Sequence, residues 1–346
     1  MLKVLELFGG IGSYSAALAH IRRHWGIEFS IEDYVEIDKY AARSYNAIHN
    51  TNFPTQDIKD WDKDMDIDLL LHGSPCQDFS IAGLQMGGDE GTGTRSSLMY
   101  ESIRIIHKLN PKFVVWENVP NILSEKHRHN FDNYIKTLND FGYNSYYQIL
   151  NARDYGIPQS RKRIFTVSIR KDIDNNNFAF PMKQPLTIQM KDLLEPIVDD
   201  KYYLSEKMKD FIIDARGAQK STKWGKSIKQ GKVNGVIAIA LCACSAYGNK
   251  RANCSNYICD NFNREVSAKE LKEMLASNTI TLEDLKIRRL TPRECWRLMG
   301  FDDEYFDKAQ SVNSDTQLYK QAGNSIVVNV AEAILTNLLV KSQINY

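Results

Sequence analysis

Leu5-Glu6-Leu7-Phe8-Gly9-Gly10-Ile11-Gly12-Ser13 reads as a strand, a glycine turn and the start of a helix. Ser13 is placed to cap a helix that begins with Tyr14, Ala16, Ala17 and Leu18. Glycines let a backbone approach a ligand closely, and a helix N-terminus offers free N–H groups. The spacing is not the full dinucleotide fingerprint, so taken alone the stretch is equally a tight turn. A second strand, Tyr34-Val35-Glu36-Ile37, ends in Asp38. In nucleotide-binding α/β folds, an acidic residue at the end of the second strand, about 20 residues past the glycine turn, meets the ribose hydroxyls. Glu36 occupies that place, so the pair points to a nucleoside-type cofactor. Asp57-Ile58, ahead of the next strand, is positioned to meet an adenine edge.

Asp66-Ile67-Asp68-Leu69-Leu70-Leu71-His72 is an apolar run of strand length, followed by Gly73-Ser74-Pro75-Cys76-Gln77-Asp78-Phe79-Ser80. Cys76 therefore stands just past a strand end, where parallel α/β sheets present groups to ligands. The glycine-rich Gly83–Gly93 that follows is unsuited to a packed helix or strand. A thiol on a rigid edge with such a flap behind it suggests a nucleophile and a lid. The plainer reading of one free cysteine is a small buried hydrophobe.

After a helix over Leu98–Leu109, a strand at Lys112–Pro120 carries Glu117 at its end. A carboxylate there, beside an apolar wall, should have a raised pKa, as a general acid requires. A helix near Asn130–Asn139 and strands at Ser145–Leu150 and Arg163–Ile169 complete the pattern. Arg161 and Arg163 alternate as strand residues do, which predicts that both face one side and clamp a phosphate or a base carbonyl. The expected fold is a doubly wound, mostly parallel α/β sheet with a second, smaller irregular domain. Residues 1–182 and 318–346 are assigned to the first domain, and 183–317 to the second with its hinge. Past residue 290, Thr291 is placed to cap a helix, Pro292 to take its first position and Gly300 to stop it. A last helix after Gln321-Ala322-Gly323-Asn324-Ser325 carries Ile326, Val327, Val330, Ile334 and Leu338 on one face.

The 346 residues are 43% hydrophobic and 25% charged, with a net charge of +1, which argues against an all-over nucleic-acid binder. Charge distribution says more than the sum. Ala215–Cys259 holds no Asp or Glu but contains Arg216, Lys220, Lys223, Lys226, Lys229, Lys232, Lys250 and Arg251. One purely basic segment implies a local anionic partner or a solvated basic loop. The longest apolar run, Val236–Cys244, is too short to span a bilayer, and no signal-peptide pattern precedes the first strand. Six scattered cysteines do not form a disulfide framework, which points to a reducing cytoplasm. Cys242, Cys244, Cys254 and Cys259 lack the paired knuckles of zinc sites, so no metal is expected, and Cys295 reads as core.

Taken together, Phe8-Gly9-Gly10-Ile11-Gly12, Glu36-Ile37-Asp38, Gly73-Ser74-Pro75-Cys76-Gln77, Glu117-Asn118-Val119, Gln159-Ser160-Arg161-Lys162-Arg163, Arg289-Leu290-Thr291-Pro292-Arg293-Glu294 and Gln321-Ala322-Gly323-Asn324-Ser325 resemble, in order, the motifs of the DNA (cytosine-5) methyltransferases of prokaryotes and phages. The resemblance implies S-adenosyl-L-methionine as methyl donor and S-adenosyl-L-homocysteine as product. It assigns Phe8, Gly9, Gly10, Gly12, Ser13, Glu36, Ile37, Asp57, Ile58, Pro75, Asn324 and Ser325 to the cofactor. Ile37 stands where many relatives carry an aromatic residue. Cys76, Glu117, Arg161 and Arg163 are implied catalytic residues; Gln77, Ser80, Arg161, Lys162, Lys226, Lys229 and Arg251 are implied DNA contacts. The implied partner is double-stranded DNA with its target base flipped out, bound by a cytoplasmic monomer without a membrane. A cognate restriction endonuclease is a candidate companion. A tRNA cytosine methyltransferase and a silent nucleic-acid-binding relative are the competing readings.

Overall fold

A computed structural model describes residues 1–75, 98–213, 232–241 and 256–344. Cys76, Gln77, Ser80, Gly83–Gly93, Lys226, Lys229, Arg251, Cys242, Cys244 and Cys254 lie outside the described residues.

The chain opens with β1 (Leu2–Leu7), α1 (Ser13–Trp25), β2 (Phe29–Val35), α2 (Lys39–His49) and β3 (Leu69–His72). It continues with α3 (Met99–Leu109), β4 (Phe113–Asn118), α4 (Arg128–Asp140), β5 (Tyr143–Asn151), β6 (Gln159–Ser160) and β7 (Lys162–Arg170). Six of these strands form one sheet in the order β2-β1-β3-β4-β7-β5. β1 pairs in parallel with β2 and β3, and β3 with β4, whereas β7 runs antiparallel to both β4 and β5. This is the expected doubly wound, mostly parallel sheet.

Alternation along the strands gives the sheet two apolar faces. Val4, Leu69, Leu71, Val115 and Val167 belong to one buried cluster, and Leu5, Leu70, Val114, Trp116 and Ile164 to the other. Helix α1 covers the first face with Leu18 and Ile21, and α3 and α4 cover the second with Ile106, Tyr134 and Leu138. Each such fully buried aliphatic side chain stabilises the fold by about 1.5–3 kcal/mol.

Helix α1 differs from expectation at its start. Gly12 takes the N-cap position with φ 83°, Ser13 is already helical, and no side chain caps the helix. A Cβ on Gly12 would sit 2.3 Å from His49 Nε2. Asp38, by contrast, caps α2 by accepting from the Tyr40 and Ala41 N–H groups.

The remaining elements are short: α5 (Glu206–Ile213), β8 (Lys232–Val233), β9 (Ala238–Ile239), β10 (Tyr257–Cys259), β11 (Val266–Ser267), α6 (Ala268–Ala276) and β12 (Ile287–Arg289). Val233, Tyr257, Cys259, Val266, Leu271, Leu285 and Ile287 make a small core of their own. The chain then returns to the large core through α7 (Pro292–Arg297), α8 (Asp303–Gln310), α9 (Asp315–Asn324) and α10 (Val328–Thr336). Thr291 and Glu294 form a capping box on α7 with Pro292 at its first turn, and Gly300 follows with φ 80°. Trp296, Leu298, Phe306 and Ala309 pack in the cluster that holds β1 and α10, so the span 290–309 joins the first core rather than the small one. Cys295 is buried in that cluster, and burial raises its thiol.

Gln321–Asn324 is the end of α9 rather than a loop, and α10 follows after a break at 325–327. Ile326, Val327, Val330, Ile334 and Leu338 are all buried. By length and composition alone, Asp315–Lys341 passes as a membrane-crossing helix, although 61% of its apolar window is buried inside the fold.

Candidate active site

Four strand ends meet at the carboxyl edge of the sheet, where open α/β folds bind ligands. The Phe8–Gly12 turn leaves β1, Glu36 lies just past β2, Gly73 just past β3, and Glu117 near the end of β4.

The glycine turn is held at one residue from both sides. Gly10 donates its N–H to Glu36 Oε2 (3.1 Å), and its carbonyl accepts from the Tyr34 hydroxyl (2.5 Å). Tyr34 stacks on Tyr45 with ring centroids 3.8 Å apart. The fit under the turn is close: a Cβ on Gly9 would stand 2.6 Å from Tyr34 Cε2. Glu36 Oε1 accepts from the Asp38 N–H (2.8 Å), and burial raises its carboxyl despite these donors. The neighbouring Ile37 is 67% exposed, an apolar wall facing open space. Gln56 donates its N–H to the Glu36 carbonyl (2.9 Å), which brings the Asp57–Ile58 turn beside Glu36. Asp57 is half-buried, while the Ile58 side chain is buried in the second cluster, so only its main chain can meet a ligand.

Helix α9 closes this edge from far along the chain. Lys320 pairs with Asp38 (2.5 Å), and Gln321 donates to the Tyr40 carbonyl (3.0 Å) and accepts from Ser44 Oγ (3.0 Å). Asn324 is exposed beyond this anchor, and the Ser325 hydroxyl is turned inward to the Gln321 carbonyl (2.7 Å).

The turn after β3 is pinned to β4. Ser74 Oγ accepts from Trp116 Nε1 (3.0 Å) and Asn118 Nδ2 (3.4 Å). Behind it, His72 and Tyr134 share a buried hydrogen bond (2.9 Å), and burial holds His72 neutral with its pKa down to about 3. A Cβ on Gly73 would lie 3.6 Å from both Glu117 Oε2 and Ile326 Cδ1. Glu117 thus faces the residues that lead directly into Cys76. Its carboxylate pairs with Arg163 Nε at 2.9 Å and is 12% exposed. Burial raises the Glu117 carboxyl, and the guanidiniums of Arg163 and Arg161 only partly offset it.

Arg161 and Arg163 do not lie on one strand. Arg163 lies within β7 and reaches Glu117. Arg161 falls in the break between β6 and β7, where its N–H turns back to the Gln159 carbonyl (3.0 Å) and the alternation is reset. Its buried guanidinium donates to the carbonyls of Leu241 (2.6 Å), Gly323 (3.1 Å) and Ser325 (2.8 Å). The expectation of Arg161 as a phosphate or base contact is therefore corrected: the residue ties three segments together from inside. Gln159 acts similarly, donating to the Leu298 carbonyl (2.6 Å) and accepting from the Leu241 N–H (3.0 Å). Lys162 is exposed, and Pro75 is half-buried at the end of the described turn. Sequence reasoning missed Tyr34, Ser74 and Gln159 as supports; each lay within or beside a quoted motif. Cys259 is buried on β10 and burial raises its thiol.

The fold is a doubly wound α/β one, with the glycine turn, Glu36 and Glu117 at the carboxyl edge of its sheet. The chain belongs to the C-5 cytosine-specific DNA methylases, whose family profile matches residues 2–339. It is 38% identical over 306 residues to the type II methyltransferase M2.ScrFI of Lactococcus lactis subsp. cremoris, covering 88% of this chain and 74% of that one. It is 32% identical over 349 residues to the type II methyltransferase M.HhaI of Haemophilus parahaemolyticus, covering 97% and 94%. The crystal structure of the S. pombe Dnmt2 methyltransferase has the same fold, with a TM-score of 0.71 at 20% identity over 99% of this chain and all of that one. The protein is accordingly a DNA (cytosine-5-)-methyltransferase, and DNA is its substrate.

Proposed function

We infer that the chain methylates carbon 5 of a cytosine flipped out of a specific duplex site, using S-adenosyl-L-methionine and a transient bond from Cys76. The observation that carries this reading is the Glu117–Arg163 pair set against Gly73, three residues ahead of Cys76.

The residues present fit the cofactor. The N-terminus of α1 has no side-chain cap and offers N–H groups to a carboxylate. Glu36 suits ribose hydroxyls, Asp57 an exocyclic amine, and the exposed Ile37 an aromatic face. Phe8–Ser13 would hold the methionine part, with Pro75, Asn324 and Ser325 closing the pocket. S-adenosyl-L-methionine, when bound, supplies a methyl group on a sulfonium.

Carbon 5 of cytosine is a poor nucleophile until carbon 6 is attacked. The Cys76 thiolate adds at carbon 6, and a proton held by Glu117 goes to ring N3, so no full negative charge builds on the base. Carbon 5, now enamine-like, takes the methyl. A base then removes the carbon-5 proton, the electrons re-form the ring double bond, and the Cys76 thiolate leaves as N3 returns its proton to Glu117. An ordinary thiol of pKa about 8.5 is only a few per cent ionised at pH 7, and a guanidinium such as that of Arg163 would favour the thiolate. Flipping the base costs a few kcal/mol, offset by contacts in the pocket. Lys162, Gln77, Ser80, Lys226, Lys229 and Arg251 are the proposed DNA contacts, with a salt slope of about −0.9 per neutralised phosphate. We also place the protein in the cytoplasm as a monomer, with a cognate restriction endonuclease as candidate companion.

The test is incubation with duplex DNA carrying 5-fluorocytosine, in which the carbon-5 substituent cannot leave as a proton. A covalent protein–DNA adduct that needs both S-adenosyl-L-methionine and Cys76 is expected. Its absence overturns the mechanism, and methylation of tRNA rather than duplex DNA overturns the substrate.

A further inference from the structure

Asp33 is a buried carboxylate that the mechanism does not use. It lies on β2, is 2% exposed, and faces the turn at 56–61. Its Oδ1 accepts from Gln56 Nε2 (2.9 Å) and the Tyr34 N–H (3.0 Å). Its Oδ2 accepts from Trp61 Nε1 (2.8 Å) and Lys63 Nζ (2.7 Å). Burying an ionised carboxylate is costly unless its oxygens are satisfied in this way. Burial pushes the Asp33 carboxyl up, but the donors from Lys63, Trp61 and Gln56 outweigh it and hold the group below its usual range.

The geometry points to Asp33 as a positioning residue that sets the adenine specificity of the cofactor pocket by gripping Gln56 and Trp61, the two ends of the Asp57–Ile58 turn. This rests on the cofactor reading given above. Residues 57–60 belong to no helix or strand. The turn is closed by Asp60 N–H to the Asp57 carbonyl (3.1 Å) and Trp61 N–H to the Ile58 carbonyl (3.3 Å), and Gln56 ties it to β2 by also donating to the Tyr34 carbonyl (2.7 Å) and the Glu36 carbonyl (2.9 Å). Arg104 of α3 holds the carbonyls of Ile58 (3.1 Å) and Trp61 (2.8 Å) from the other side. Trp61 is buried in the second cluster with Ile58, so its indole cannot follow the turn outward.

The chemistry of the base explains why this placement matters. Adenine offers an amine donor and a ring-nitrogen acceptor, which match the Asp57 carboxylate and the Ile58 N–H. Hypoxanthine offers a carbonyl and an N–H at the same positions, so both contacts become repulsive. Such discrimination needs the carboxylate fixed to within a fraction of an ångström, because hydrogen bonds weaken steeply off distance and angle. An Asn at position 33 would turn one acceptor into a donor facing Gln56 or Trp61.

The experiment is calorimetric titration of the full chain with S-adenosyl-L-homocysteine and, separately, S-inosyl-L-homocysteine. The unaltered protein should prefer the adenosyl ligand by about tenfold or more. Trp61→Phe, which keeps a ring but removes the donor, and Asp33→Asn should bring that ratio close to one. Lys63→Met, which removes the donor at the solvent side, should lower it less. The ratio is read on the same folded molecules for both ligands, so loss of stability cancels. An unchanged ratio in Trp61→Phe and Asp33→Asn overturns the role of Asp33 and leaves the cofactor reading standing. Equal affinity for the two ligands in the unaltered protein overturns the assignment of Asp57–Ile58 and the inference together.

Discussion

The large sheet and the small core at residues 213–287 are built by opposite rules. In the sheet, strands of four to seven residues place Glu36, Gly73 and Glu117 at one edge, and bonds from Gly10 to Glu36, from Trp116 to Ser74 and from Arg163 to Glu117 hold that edge. In the small core, strands of two or three residues carry little register of their own. Its shape follows from side chains such as Leu271 of α6 and Ile287 of β12 packing into one small cluster. Long paired strands hold a fixed geometry; short ones leave the backbone to be set by packing.

Several changes would sharpen or break this contrast. The largest effect is expected at the chemical edge: Cys76→Ala should abolish methyl transfer while DNA binding persists, as measured by transfer of labelled methyl groups and by gel shift. Retained turnover would remove Cys76 from the mechanism. Glu117→Gln should lower kcat about 10²–10³-fold with little change in affinity for S-adenosyl-L-homocysteine. Because burial raises the Glu117 carboxyl, the proton it donates is present at low pH and lost as pH rises through the raised value. The unaltered enzyme should therefore show an alkaline limb in kcat that Glu117→Gln lacks. A shared pH profile would count against Glu117 as the acid.

On the other side of the contrast, Leu271→Ala should cost about 2–5 kcal/mol of local stability. DNA affinity should fall while S-adenosyl-L-homocysteine affinity stays near that of the unaltered chain. Equal loss of both would show that the two cores unfold together. The smallest effect is expected at His20 on α1. His20 Nδ1 sits 3.0 Å from Glu332 and Nε2 3.4 Å from Asp302, and these carboxylates raise its pKa above 6.5. A raised folded pKa stabilises fully below 6.5 and loses that contribution as pH climbs through the folded value. His20→Gln should thus be less stable than the unaltered chain at pH 6 by about 0.5–1 kcal/mol, and the gap should close by pH 9. A gap that does not vary with pH would mean that His20 acts by packing.

Much of the sheet and its edge was legible because the signals are local. A strand feeding a glycine turn, or Thr291-Pro292 ahead of an apolar run, reveals itself within a few residues. Glu36 and Glu117 could be placed at the edge because one lies just past β2 and the other next to the last residue of β4. Arg161 was misread because alternation holds only within one strand, and the break between β6 and β7 lies at that residue. The helices α8 and α9 were missed because α8 fell within the span read as the second domain and the boundary at 317/318 cut α9, while Phe306 and Leu318 pack into the large core from far along the chain. Asp33 was invisible for a related reason: its indole partner stands 28 residues away, and no local pattern joins a strand aspartate to a loop tryptophan.

The anchoring of Lys320 to Asp38 and of Gln321 to Tyr40 has a consequence during synthesis. Strand β1 leaves the ribosome before residues 320–326 do, so the edge it begins cannot close until they have followed. A chain made only as far as β7 has the glycine turn and Glu36 but lacks the anchors that close over them. Translation therefore sets an order in which one end of this edge waits for the other.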